Sequence, residues 1–168
     1  MRVAIDARPA VARGKTGVGW YASHLIRRLP FVDPETTYLA WYLYARRILG
    51  KPLFFTDVHA PNFEERWTPF PARLFWRLSR REFPRVEWLV GFDVLFATNF
   101  VPPPTRSRRV VLAVHDLAFR RHPTSVPAPT REWLDARLRP SLDRGSAVER
   151  GTEPCVEPLA GRRRDGCW

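Results

Sequence analysis

Along its first 142 residues the chain alternates short apolar runs of strand length with stretches of helical period, and few folds accommodate that order. Residues 2–7 (RVAIDA) are a β-favouring run at the start. After a loop holding Pro9 and Gly14, the residues Val18, Tyr21, Ala22, Leu25, Ile26 and Leu29 recur at helical spacing. That predicts a helix over 17–29, stopped by Pro30 and the Asp33-Pro34 turn. Residues 38–44 (YLAWYLY) and 52–56 (PLFFT) read as two further strands, and 57–71, with Pro61, Pro69 and Pro71, as irregular.

A second helix is expected over 72–83, with Leu74, Phe75, Trp76, Leu78 and Phe83 on one side and Arg73, Arg77, Arg80 and Arg81 on the other. Residues 93–97 (DVLFA) and 110–114 (VVLAV) are strands separated by Pro102-Pro103-Pro104. Residues 130–142 are a last helix that Pro140 must kink or end. The order strand, helix, strand, strand, helix, strand, strand, helix predicts an α/β fold: a mostly parallel sheet with helices on both faces. Ligands of such sheets sit beyond the carboxyl ends of the strands.

The segment ARGKTGVGWYASHL, residues 12–25, resembles three phosphate-binding loops at once. A triphosphate-binding loop ending at Gly14-Lys15-Thr16 requires a glycine where Pro9 stands, and proline has no N–H to offer. A dinucleotide fingerprint at Gly17 requires the glycine directly after the strand, whereas a long loop separates Ala7 from Gly17. Its acidic partner would be Glu35, which lies in a turn. What remains is a glycine turn opening a helix. Its unpaired N–H groups suit a phosphate or a sugar hydroxyl, or Gly17 and Gly19 serve only a tight turn and close packing.

Composition narrows the partners. The net charge of +11 invites nucleic acid, but of the 28 basic side chains only Lys15 and Lys51 are lysines, a bias that GC-rich coding also produces. Nucleic acid is therefore disfavoured against an anionic lipid surface or a phosphorylated ligand. Cys155 and Cys167 have no histidine nearby and no zinc spacing, so neither a metal site nor a disulfide is expected. No apolar run is long enough to span a bilayer and no leader pattern is present, which makes a cytoplasmic location the expectation.

Two strand ends carry chemistry. Thr98 and Asn99 follow the run at 93–97, and His115 and Asp116 follow the run at 110–114. In a parallel sheet both open on the same edge as the glycine turn, where His115 would bond a sugar hydroxyl or a developing charge and Asp116 would orient it.

On MRVAIDARPA, TGVGWYASHLIRRL, FDVLFATNFVPPP and VVLAVHDLAFRRHP, continuing through LRPSLDRGSAV, the chain resembles the N-terminal half of family-four retaining glycosyltransferases of the GT-B fold. The resemblance covers about residues 1–148. It implies a Rossmann-like domain that holds the acceptor and faces a donor-binding domain. The intact enzyme would transfer a mannosyl or glucosyl group from a nucleotide sugar to a polysaccharide or a lipid-linked acceptor. Gly17 and Gly19 would lie near the donor diphosphate, His115 near the transferred sugar with Asp116 beside it, and Asn99 in the cleft, although Thr98 stands where the family has proline. The nucleotide sugar is substrate; no cofactor and no metal are expected. The face formed by Arg73, Arg77, Arg80 and Arg81 would meet an anionic membrane at the inner face of the plasma membrane, or simply be solvated.

Residues 149–168 lack period and family likeness. They read as an unstructured tail, of the kind a frameshift leaves, and the chain as written is expected to be inactive alone. A non-catalytic Rossmann-like binding module is the alternative reading, followed by a basic nucleic-acid binder.

Overall fold

The computed structural model describes residues 1–12, 14–45, 56–115, 117–144, 147–150 and 153–158. The fold is α/β and Rossmann-like. Its strands are β1 (Arg2–Asp6), β2 (Thr37–Leu43), β3 (Phe63–Thr68), β4 (Val94–Ala97), β5 (Val110–Val114), β6 (Ala147–Arg150) and β7 (Glu153–Pro158). They form one sheet in the order β3-β2-β1-β4-β5-β6-β7. Every pairing is parallel except β6 with β7. The helices are α1 (Gly17–Val32), α2 (Ala72–Ser79), α3 (Ala118–Arg121) and α4 (Ala128–Arg144).

Strand alternation distributes the core over two faces. Ile5, Tyr38, Ala40, Tyr42, Phe96 and Ala113 point to the side covered by α1, where Ala22 and Ile26 meet them. Ala4, Leu39, Trp41, Leu95 and Val110 point to the opposite side, against Phe75 of α2 and Val86 and Val90. On that same side Leu112 and Val114 pack on Leu138 of α4. Sequestering a side chain the size of Phe75, which is fully buried, contributes about 2 kcal/mol. β2 is buried on both faces, as a central parallel strand must be, and the Trp41 indole N–H still finds Thr68 Oγ1 at 2.9 Å.

Several boundaries differ from those read in the sequence. α1 runs through Pro30 to Val32, because a proline this near the end forfeits a single backbone bond. The Asn62 side chain then receives the exposed ends, donating to Pro30 O at 3.0 Å and Thr36 O at 2.9 Å. α4 likewise continues past Pro140, and Ser141 Oγ donates to Arg137 O at 2.8 Å in the turn that the proline weakens.

α2 is shorter than expected. It ends at Ser79, and Glu82, at φ 56°, sits in the left-handed region that no helix continues through. Its apolar side is also narrower. Phe75 is buried, whereas Leu74, Trp76 and Phe83 remain exposed.

The strand expected at 52–56 lies outside the described residues except for Thr56. A strand does form where the sequence reads as irregular: β3, FEERWT, pairs with β2 along its length. At the other end, β6 and β7 continue the sheet to Pro158 by backbone pairing, past the boundary at 148 that the sequence suggested. Among the described residues no helix is long and apolar enough to cross a membrane.

Candidate functional site

β1 pairs with β2 on one side and with β4 on the other, so the chain reverses its direction of travel across the sheet between β1 and β4. In open parallel sheets the carboxyl edge at such a switch point is where ligands are generally bound. The residues at this point are Asp6 at the end of β1 and Thr98 and Asn99 just beyond β4. One bond ties the two strand ends together, Thr98 Oγ1 donating to Asp6 O at 2.7 Å. Thr98 is fully buried. The position thus serves a hydrogen bond that a proline there would not make.

His115 follows β5, and its Nε2 lies 3.0 Å from Thr98 O. A carbonyl accepts, so Nε2 carries the proton in this contact and Nδ1 is the acceptor of the neutral ring. Two aromatic edges hold the imidazole: Tyr21 of α1 at 4.7 Å between centroids and Phe100 at 6.0 Å, both near perpendicular. The Tyr21 contact brings the β5 end to the first turns of α1.

The two glycines at that helix start differ in kind. A Cβ at Gly17 would meet nothing within 4 Å. A Cβ at Gly19 would lie 2.8 Å from Pro9 O, so Gly19 lets the loop after β1 lie directly on α1. Thr16 precedes the helix without capping it through its side chain, and no acidic residue stands in the first turn. The positive end of the helix dipole is therefore not offset locally. Lys15 Nζ adds a cation beside it, 4.9 Å from the Trp20 ring.

Asn99 Oδ1 accepts from Phe100 N at 2.8 Å, shaping the turn and leaving the amide hydrogens as donors. The loop beyond is anchored at Glu87. Burial pushes this carboxyl up, but Thr105 Oγ1 and the N–H groups of Ser107 and Arg106 donate to it and hold it below its ordinary value.

The sequence reading placed Gly17, Gly19, Asn99 and His115 at one edge, and the structure brings those four to it. Asp116 lies outside the described residues. Arg73 and Arg77 are exposed on α2, and Arg80 and Arg81 follow its end, all on the opposite face of the sheet from His115. Among the described residues no cluster of His, Cys, Asp and Glu is suited to a metal ion.

The sequence reading missed one pair. Asp6 is 1% exposed, and Arg8 reaches it with Nε on Oδ1 at 2.7 Å and Nη2 on Oδ2 at 2.5 Å. The guanidinium lies within 4.8–5.5 Å of the Trp76, Phe75 and Trp41 rings. An aspartate closing a buried strand, two residues before an arginine, was the available signal. A buried carboxylate needs a partner, and only Arg8 stands within that turn. Comparison of the chain with protein-family models, with curated proteins and with solved structures returned no match.

Proposed function

We propose that this chain is the acceptor-side domain of a retaining glycosyltransferase that uses a nucleotide sugar, transferring a mannosyl or glucosyl group to a polysaccharide or lipid-linked acceptor. The observation that carries the reading is the seating of His115 on Tyr21, which joins the end of β5 to the uncapped start of α1 beside the β1–β4 switch point. Such an edge offers a diphosphate the N–H groups and dipole of α1, and offers a hydroxyl the imidazole Nδ1 and the Asn99 amide. With its Nε2 proton engaged by Thr98 O, the imidazole is held in one tautomer, as a residue that must accept from a sugar hydroxyl would need to be. Asp116, next in the chain, is proposed to work beside it.

The test is a titration of the isotope-labelled chain with GDP-mannose and UDP-glucose at millimolar concentration, followed by NMR. Saturable movement of the Gly17, Val18 and Gly19 amides and of the His115 ring nitrogens, weakened in His115→Ala, is the expected result. Absence of movement at this edge, with either donor, would overturn the proposal.

A further inference from the structure

On the face away from His115, α2 and α4 do not close against each other. Between them lie two adjoining cavities of about 440 and 610 Å³ that share Trp76, Arg80 and Arg137 as walls. The second is completed by Arg77 and Trp133, and among the described residues its lining holds three arginines and no carboxylate, while Glu82 is the one acidic side chain at the first. None of the three arginines forms an ion pair among the described residues. Three cations converging on one concavity repel one another, and a surface keeps them together at least cost when an anion sits between them.

The indoles define what carries the anion. Trp76 and Trp133 meet edge to face, with centroids 6.2 Å apart and planes at 80°. A guanidinium already lies near each ring: Arg8 at 4.8 Å from the Trp76 centroid and Arg137 at 5.3 Å from that of Trp133. Perpendicular rings that already carry cations form no slot for a stacked base, which disfavours single-stranded nucleic acid. A lipid surface demands apolar groups that protrude from a convex face, whereas Trp133 lines the second hollow and Trp76 lines both, the first of them walled also by Pro102, Pro104 and Pro140. Apolar ring edges between arginines suit a ligand with alternating apolar C–H faces and negative groups.

We propose that this groove binds an acidic saccharide, a sugar chain bearing carboxylate or phosphate groups. Arg77, Arg80 and Arg137 take the anionic groups, and Trp76 and Trp133 lie against the sugar rings. The proposal stands on the groove alone and does not depend on glycosyl transfer at the other face.

Calorimetric titration of the full chain with a galacturonic acid hexamer tests it, with maltohexaose as the neutral probe. Oligothymidylate and phosphatidylglycerol vesicles serve as competing polyanions. The uronate hexamer is expected to bind in a salt-dependent manner, and maltohexaose at least about tenfold more weakly. Replacing Arg77 and Arg137 by Gln should weaken the hexamer about tenfold or more, with circular dichroism unchanged. The control, Arg28→Gln with Arg106→Gln, removes the same charge elsewhere and should leave affinity as it was. Arg80→Gln alone gives a second reading should the double variant lose structure. Equal weakening in the control, or none in the groove variants, would overturn the proposal. So would tighter binding of the oligonucleotide or the vesicles through the same arginines, which would reassign the groove to nucleic acid or lipid.

Discussion

Replacing Arg8 by Met should destabilise the chain far more than its single pair of opposed charges suggests. Methionine fills much the same space against Trp41, Phe75 and Trp76, so loss of packing is small. The Asp6 carboxylate, however, would remain 1% exposed and lose both guanidinium bonds, keeping of its Arg8 contacts only the backbone N–H at 3.2 Å. Leaving one member of a buried pair uncompensated costs about 3–5 kcal/mol. That is a third or more of the ~10 kcal/mol typical of a domain, and roughly 10 °C in Tm for a chain of this size.

The assay is urea unfolding followed by tryptophan fluorescence on four proteins: parent, Arg8→Met, Asp6→Asn, and the pair together. Asp6→Asn/Arg8→Met retains an acceptor for the backbone N–H and removes both charges, so it should recover to within about 1–2 kcal/mol of the parent. The reasoning is refuted if Arg8→Met falls within about 1 kcal/mol of the parent. It is equally refuted if the double variant is no more stable than Arg8→Met.

Two other perturbations separate packing from charge. Gly19→Ala should cost about 2 kcal/mol in the same unfolding assay, since the new Cβ meets a backbone carbonyl 2.8 Å away, whereas Gly17→Ala should be neutral or stabilising by roughly 0.5 kcal/mol. Glu87, held below its ordinary value, contributes stability that is complete above the ordinary glutamate pKa of 4.5 and is lost as pH falls through its lower folded value. Glu87→Gln, which keeps an oxygen acceptor for Thr105, Arg106 and Ser107 but not the charge, should therefore remove part of the acid-side slope of stability against pH in the same unfolding assay repeated between about pH 3 and 7.

Most of what the sequence disclosed came from period and punctuation. Residues 110–114 form a strand at the bounds their composition predicts, and β1, β2 and β4 differ by a residue at one or both ends, because each is an uninterrupted apolar run. The prolines misled in the other direction. Pro30 reads as a stop and Pro140 as a kink or an end, yet α1 runs two residues past the first and α4 four residues past the second. β3 escaped notice because Glu64, Glu65 and Arg66 interrupt any apolar pattern, and its strand character comes from pairing with β2 rather than from its own residues.

At the site, strand ends were legible because polar residues follow apolar runs directly. The Asp6–Arg8 pair was not, since its cage of Trp41, Phe75 and Trp76 is assembled from chain far away in sequence. Nor could spacing tell that Gly19 answers to Pro9 O while Gly17 answers to no neighbour.

The charges that hid β3 have a consequence for the molecule in a crowd. β3 is the terminal strand of the sheet, and its outer backbone edge is the place where a second copy would add a strand of its own. Glu64 and Glu65 alongside Arg66, with Glu64 engaged by Arg2 at 2.9 Å, make that border costly to desolvate. A second copy adding a strand along this edge would have to strip water from a row of ions, so the least strand-like strand is also the one least inviting to a neighbour.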